Sequence, residues 1–222
     1  MRQVFFDTET TGIKPPDHRV IEIGCVEVIN RKLTGNHFHA YINPQREVDE
    51  GAFRVHGLGY DQLKDKPLFE EVADEFIAFV DGAEILAHNA PFDVGFLNSE
   101  FKHINKTLKL EELGQITDTL KIARQLRPRQ RNSLDALCQF YGVENSHRKL
   151  HGALLDAELL ANMYLKMTAG QHHLELKSSL VNESHALKQN LRATDSRKSK
   201  IIIKPSADEL SQMTEVDVLW DI

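Results

Sequence analysis

A mixed α/β sheet flanked by helices is the fold class the sequence predicts for residues 1–168, and three observations predict it. An early stretch alternates apolar and polar residues in period two, as a strand meander does, and later apolar runs are each followed by helical spacing. Hydrophobic residues make up 41% and charged residues 27%, as in ordinary globular chains. The 222 residues amount to about one and a half domains at roughly 150 residues each, enough to bury a core without disulfide or metal staples.

The elements follow in order. Val4-Phe5-Phe6 is a short apolar run ending in Asp7. Val20 to Ile29 is β-branched and partly alternating, which predicts a strand, and Phe38 to Ile42 reads as its antiparallel neighbour with the turn near Thr34-Gly35-Asn36. Leu68, Val72, Phe76, Phe79 and Val80 recur at helical spacing. Ile85-Leu86-Ala87 is another short strand, and Pro91 sits where the next helix begins, with Phe92, Phe96, Leu97, Phe101 and Ile104 as its apolar positions. Leu120, Ala123 and Leu126 mark a helix stopped before Pro128. Ser133 caps a helix through Tyr141 closed by Gly142. A last helix follows Gly152 and carries Leu155, Leu159, Leu160, Met163, Tyr164 and Met167. Such a succession builds one sheet covered by helices.

After Ala169-Gly170 the pattern fails. Residues 177–200 are polar and biased to basic, which reads as linker or weak helix. Ile201-Ile202-Ile203 and Val216, Val218, Leu219 and Trp220 stand as apolar islands within the last 54 residues.

Several classes are excluded or disfavoured. No run approaches the roughly 20 apolar residues of a membrane span. The start, MRQVFFDTET, carries no apolar signal region. Cys25 and Cys138 have no metal-type spacing, so a reducing cytoplasm is expected. The formal net charge of −6 counts against nucleic acid when taken whole. It is unevenly spread, however: residues 118–150 carry seven basic and three acidic residues, and residues 205–222 carry five acidic and no basic ones.

Three short motifs could carry chemistry. Asp7 and Glu9 lie two apart, so on a strand both carboxylates face one side. Alone they are either a solvated strand end or a pair awaiting a cation. His88-Asn89-Ala90-Pro91-Phe92-Asp93 lies at a strand-to-helix turn, where α/β sheets build ligand sites; Asp93 also suits the helix dipole, and Asn89 could be its cap. His151 and Asp156 lie five apart, about 140° out of line on a helix, so they converge only if His151 precedes the helix and Gly152 turns the chain. Together these motifs supply four carboxylates and one histidine. That set suits hard divalent cations and can hold two of them for phosphodiester cleavage, with the histidine taking the proton from water.

In their order, FDTETTG, HNAPFD and HGALLD resemble the motifs of the DEDD (DnaQ-like) 3′–5′ exonucleases in the variant with a histidine base, over residues 1–168. VIEIGCVEVINRKLTGNHFHAYINP, FRVHG, RNSLDALCQFYGV and HGALLDAELLANMYLKMTAGQ resemble, within that family, the proofreading subunits of bacterial replicative DNA polymerases. The resemblance implies a ribonuclease-H-like fold with a five-stranded mixed sheet, an exonuclease domain over residues 1–170, and release of mispaired 3′ nucleotides as 5′-monophosphates. It implies Asp7, Glu9, Asp93 and Asp156 as ligands of two Mg²⁺ or Mn²⁺ ions and His151 as general base. Substrate contacts are expected at Asp7, Glu9, Asp156, Thr10, Phe53, Val55 and His56, with Phe53, Val55 and His56 set either to meet terminal bases or to pack. Thr11 and Gly12 lie where backbone could approach the last nucleotide, or where the chain simply turns.

Arg124, Arg127, Arg129 and Arg131 would meet DNA phosphates or form a solvated helix end. His88 and Asn89 would orient the site or serve the core. In the tail, Gln171, Leu174 and Leu176 have the pattern of a sliding-clamp peptide within a linker of residues 171–204. Leu219 and Trp220 would anchor a segment of residues 205–222 on the polymerase catalytic subunit. The expected partners are therefore a single-stranded DNA 3′ end, that subunit and a clamp. The competing readings are a free-standing exonuclease that trims RNA or short oligonucleotides, and a non-catalytic assembly module.

Overall fold

A computed structural model describes residues 1–145 and 150–170. Gln171, Leu174, Leu176, Leu219, Trp220 and the extended tail expected there lie outside the described residues. Three antiparallel strands come first: β1 (Arg2–Thr10), β2 (Val20–Ile29) and β3 (Lys32–Tyr41). Helices α1 (Glu50–His56), α2 (Tyr60–Leu63) and α3 (Phe69–Val80) lead to β4 (Glu84–Ala87). Helices α4 (Ala90–His103) and α5 (Leu110–Leu113) lead to β5 (Gln115–Asp118), followed by α6 (Thr119–Leu126), α7 (Leu134–Tyr141) and α8 (Ala153–Met167). The strands lie in the order β3-β2-β1-β4-β5, with β4 parallel to β1 and β5 parallel to β4. This is the mixed five-stranded sheet expected.

Two boundaries differ from the sequence reading. The first strand continues past the apolar run that ends in Asp7. It runs to Thr10 because β2 pairs with it through Asp7↔Gly24 and Glu9↔Glu22, so its polar residues are held in a central position of the sheet. The β2–β3 turn is not at Thr34-Gly35-Asn36 but at Asn30-Arg31, which both have positive φ (50° and 64°). That is the two-residue hairpin geometry whose twist matches the flanking strands, and Thr34 to Asn36 fall inside β3. The sequence reading contains no counterpart of α1, α2, α5 or β5; all four are short, at seven, four, four and four residues, too few to establish a period.

Alternation along β1 divides the core. Val4 and Phe6 point to one face, where Phe38, Phe69, Phe76 and Phe101 of β3, α3 and α4 pack. Phe5 points to the other, with Leu137 and Cys138 of α7 and Ala157, Leu160 and Met163 of α8. The Phe5 and Tyr164 rings lie 5.3 Å apart and fix α8 on the sheet. Arg19 and the backbone of Val20 bind Glu100 of α4, with Arg19 bidentate at 2.7 and 2.8 Å, so the β1–β2 connection is tied to the first face. No helix among the described residues is long and apolar enough to cross a membrane.

Candidate active site

By the same alternation, Asp7 and Glu9 face the α8 side and Thr8 faces the α4 side. Opposite Asp7, β2 carries Gly24. A Cβ at Gly24 would run into the backbone of Ala153 and Leu154, so the missing side chain lets the first turn of α8 sit directly on the sheet. That close seat brings Asp156, in the first turn, to the acidic end of β1. A lone glycine within a strand pattern is the signal that could have found this contact.

His151 precedes α8, as convergence requires. Gly152 is extended (φ −155°, ψ 127°) and a Cβ there would meet nothing, so the turn does not depend on a glycine. The placement of His151 comes instead from α1: its amide donates to the Val55 carbonyl at 3.1 Å, and the neighbouring Leu150 side chain packs on Gly57. His151 Nδ1 lies 3.2 Å from Asp156 Oδ2. The ring is partly exposed while Asp156 is buried, so the fixed carboxylate sets the orientation of the imidazole.

Ligand atoms of Glu9, His151 and Asp156 all lie within 4.8 Å of one another. Hard cations bind oxygen at roughly 2.0–2.6 Å, so ligands on opposite sides of one ion are about that far apart. Glu9 and Asp156 are 7% and 2% exposed, and buried carboxylates gathered in this way repel unless a cation lies among them. The two carboxylates supply the oxygen donors that a hard divalent ion takes, with the His151 ring beside them. Asp7 and Asp93 line the same cleft, of about 260 Å³, but stand outside the converging trio.

Asp93 is held differently. Its Oδ1 accepts from the Thr8 amide at 3.2 Å and from the Thr8 hydroxyl at 2.8 Å. Burial pushes its carboxyl up to about 7, with the Thr8 bonds pulling the other way. Asn89 occupies the N-cap position of α4, but in the left-handed region (φ 71°) and without a side-chain cap bond. Its amide donates to Asp118, which also caps α6. His88 Nε2–H donates to the Asn132 carbonyl at 2.8 Å, and its Nδ1 lies 3.0 Å from the Thr119 hydroxyl. Burial chiefly holds its pKa below the usual imidazole range.

The other expected contacts divide into exposed and internal groups. Phe53 and Val55 stand exposed on α1. His56 is buried; its Nδ1 accepts from the Leu58 amide and its Nε2–H donates to the Thr10 carbonyl, so it ties α1 to β1. The Thr10 hydroxyl donates to the Gly12 carbonyl, and a Cβ on Gly12 would strike the His18 ring. Ser133, Leu134 and Asp135 at the start of α7 also border the cleft, which the motif reading missed because they belong to none of the three motifs.

Residues 4–164 match the family model described as Exonuclease (RNase_T). The chain is 49% identical over 218 residues to the DNA polymerase III subunit epsilon of Pasteurella multocida, covering 94% of this chain and 85% of that one. It is 52% identical over 176 residues to the subunit of that name from Escherichia coli K12, covering 77% and 72%. Among solved structures it is similar to exonuclease X bound to 5′-overhanging duplex DNA, at 26% identity and a TM-score of 0.60, over 75% of this chain and 91% of that chain. It shares its fold with the zinc-bound exonuclease I–single-stranded DNA complex of E. coli, at 20% identity and a TM-score of 0.69, over 78% and 42%.

Proposed function

Because the chain belongs to the RNase_T exonuclease family, in the branch of the DNA polymerase III epsilon subunits, we propose that it is the proofreading 3′–5′ exonuclease of a replicative DNA polymerase. It removes mispaired 3′-terminal nucleotides as 5′-monophosphates. The observation that carries this reading is the convergence of Glu9, His151 and Asp156 from β1, the segment before α8, and α8 itself.

In this reading Asp7, Glu9 and Asp156 hold one divalent cation, Mg²⁺ or Mn²⁺. Asp7 chiefly holds a second, and Asp93 completes the set. Cations bound there supply Lewis acidity that makes water acidic and offsets charge on the leaving 3′ oxygen. His151 takes the proton of the attacking water on its ring, and Asp156, 3.2 Å away, holds that ring in position. Thr10, Phe53, Val55 and His56 form the side of the site that meets the terminal nucleotide. Exposed Phe53 offers a ring for stacking, which needs no base preference, and His56 acts by fixing the backbone at Thr10. Residues 171–204, with Gln171, Leu174 and Leu176, are assigned to a linker and clamp contact, and residues 205–222, with Leu219 and Trp220, to docking on the polymerase catalytic subunit. A cytoplasmic location follows from that partnership.

The test is a labelled primer–template with a mispaired 3′ end, alongside single-stranded DNA and RNA. Deoxynucleoside monophosphate should appear with Mg²⁺ or Mn²⁺ and stop with chelator. His151→Ala should lower kcat by about 10²–10⁴-fold while cation binding, followed by calorimetry, persists. Preference for RNA ends would instead favour the free-standing trimming enzyme, and no cleavage of any 3′ end would remove the nuclease reading.

A further inference from the structure

The connection from α6 to α7 gathers positive charge beside the catalytic cleft. Arg124, in the last turn of α6, and Arg129 and Arg131, in the loop, are exposed, and none of the three takes part in an ion pair among the described residues. Arg124 and Arg129 line a second cleft of about 640 Å³, whose walls include His88 and Ser133. Those two residues also line the catalytic cleft, so the two depressions share a border.

The loop is braced rather than loose. His88 binds the Asn132 carbonyl, and the Asn132 amide donates to the Arg127 and Gln130 carbonyls at 3.1 and 3.0 Å. The Arg127 guanidinium lies 3.9 Å from the centre of the Phe140 ring and donates to the Arg131 carbonyl, so Arg127 serves the loop's own structure. Arg129 is kept in the left-handed region (φ 61°), which residues with a Cβ generally avoid. The bracing runs through His88, so the arginines are positioned against the same residue that walls the acidic site.

This charge answers a problem posed by the rest of the domain. Residues 1–117 carry 12 basic and 20 acidic residues, and the catalytic cleft itself is acidic. Phosphates of a strand whose end lies in that cleft need a local source of positive charge, and guanidinium forks match phosphate oxygens.

We propose that the cleft of Arg124 and Arg129, with Arg131 at its edge, holds backbone phosphates of the substrate single strand upstream of the scissile bond. The proposal rests on the nuclease reading of the adjoining cleft.

Three full-length proteins test it: wild type, R124Q/R129Q/R131Q, and K32Q/K64Q/K66Q, which removes the same charge from other exposed positions. KM is measured on dT10 and on dT2, whose single phosphodiester is the scissile one, between about 50 and 200 mM salt. The arginine variant should raise KM for dT10 by about tenfold or more relative to dT2, and flatten the slope of log KM against log salt by roughly two, at about 0.7 per single-strand phosphate contact. The lysine variant should keep the wild-type ratio of dT10 to dT2. An arginine variant with an unchanged ratio and slope overturns the proposal, as does a lysine variant that reproduces its effect. Wild-type protein inert on both dT2 and dT10 would point to failure of the nuclease reading instead.

Discussion

The Thr8 hydroxyl donates to Asp93 Oδ1 at 2.8 Å, across the face of β1 opposite to Asp7 and Glu9. One strand thus places two carboxylates on its α8 side and, through the residue between them, fixes a third carboxylate carried by α4. Thr8→Val keeps the shape and the β-branched character but leaves only the backbone amide on Asp93. Above about pH 8, where the Asp93 carboxyl is ionised, a hydrogen bond to a charged group contributes about 1.5–3 kcal/mol. Urea unfolding should show a loss of that size, and the Mg²⁺ concentration for half-maximal cleavage should rise. Thr8→Ser should restore most of both.

Gly24 sits under the start of α8 where no side chain fits. Gly24→Ala forces backbone against backbone, so α8 must lift from β2 or the strand must bend, and overpacking of this kind costs about 1–3 kcal/mol. Because Asp156 lies in the turn that moves, activity should fall further than stability does. Circular dichroism melting and primer cleavage on the same samples check this. Gly152→Ala, where a Cβ meets nothing, should leave the melting temperature nearly unchanged.

The contrast between these two glycines shows what the sequence disclosed. The spacing of His151 and Asp156 made it legible that the histidine had to precede a helix, and β2, α3, α4, α7 and α8 were legible from period and caps because packing and pattern agree there. The reason for the convergence was not legible in Gly152. It lies in Gly24 and Val55, far away in sequence, and is set by register and by which backbone a neighbouring helix touches. The β2–β3 turn escaped for a related reason. Thr34-Gly35-Asn36 has turn-forming residues, but pairing placed them inside β3 and left Asn30 and Arg31 to take positive φ.

Glu100 is 1% exposed and is held by Arg19 in a bidentate pair and by the Val20 amide. Its removal leaves a guanidinium and an amide without their acceptor at the joint between the β1–β2 connection and α4. Breaking a buried pair from one side costs about 3–5 kcal/mol. Glu100→Ala should lower the urea midpoint accordingly. Arg19→Met, which removes the charge but keeps apolar volume, should also destabilise by leaving Glu100 buried and unpaired. The double variant Arg19→Met/Glu100→Met should recover part of the loss, since a hydrophobic replacement of both partners avoids a stranded charge.

The pH dependence of stability should carry the signature of His56. Burial is the main cause that holds its pKa below 6.5, opposed by its bond to the Thr10 carbonyl. The folded protein therefore binds fewer protons at this site than the unfolded chain does. Its contribution is fully present above pH 6.5 and is lost as pH falls through that value toward the lowered one, by at most about 1.4 kcal/mol per pH unit for one proton. His88, lowered for the same chief reason, adds a term of the same sign. Asp93, raised to about 7, acts oppositely, its contribution being lost as pH rises toward that value. Comparing variants separates these terms. His56→Asn keeps an acceptor placed for the Leu58 amide but cannot titrate. Against wild type in chelator, so that cation binding does not move the curves, it should show a constant offset above pH 7. Below pH 6.5 that offset should shrink as the wild-type protein alone pays for protonating a buried ring. Parallel curves from pH 7.5 to 5 would show that His56 titrates alike in both states and that its burial does not set its charge.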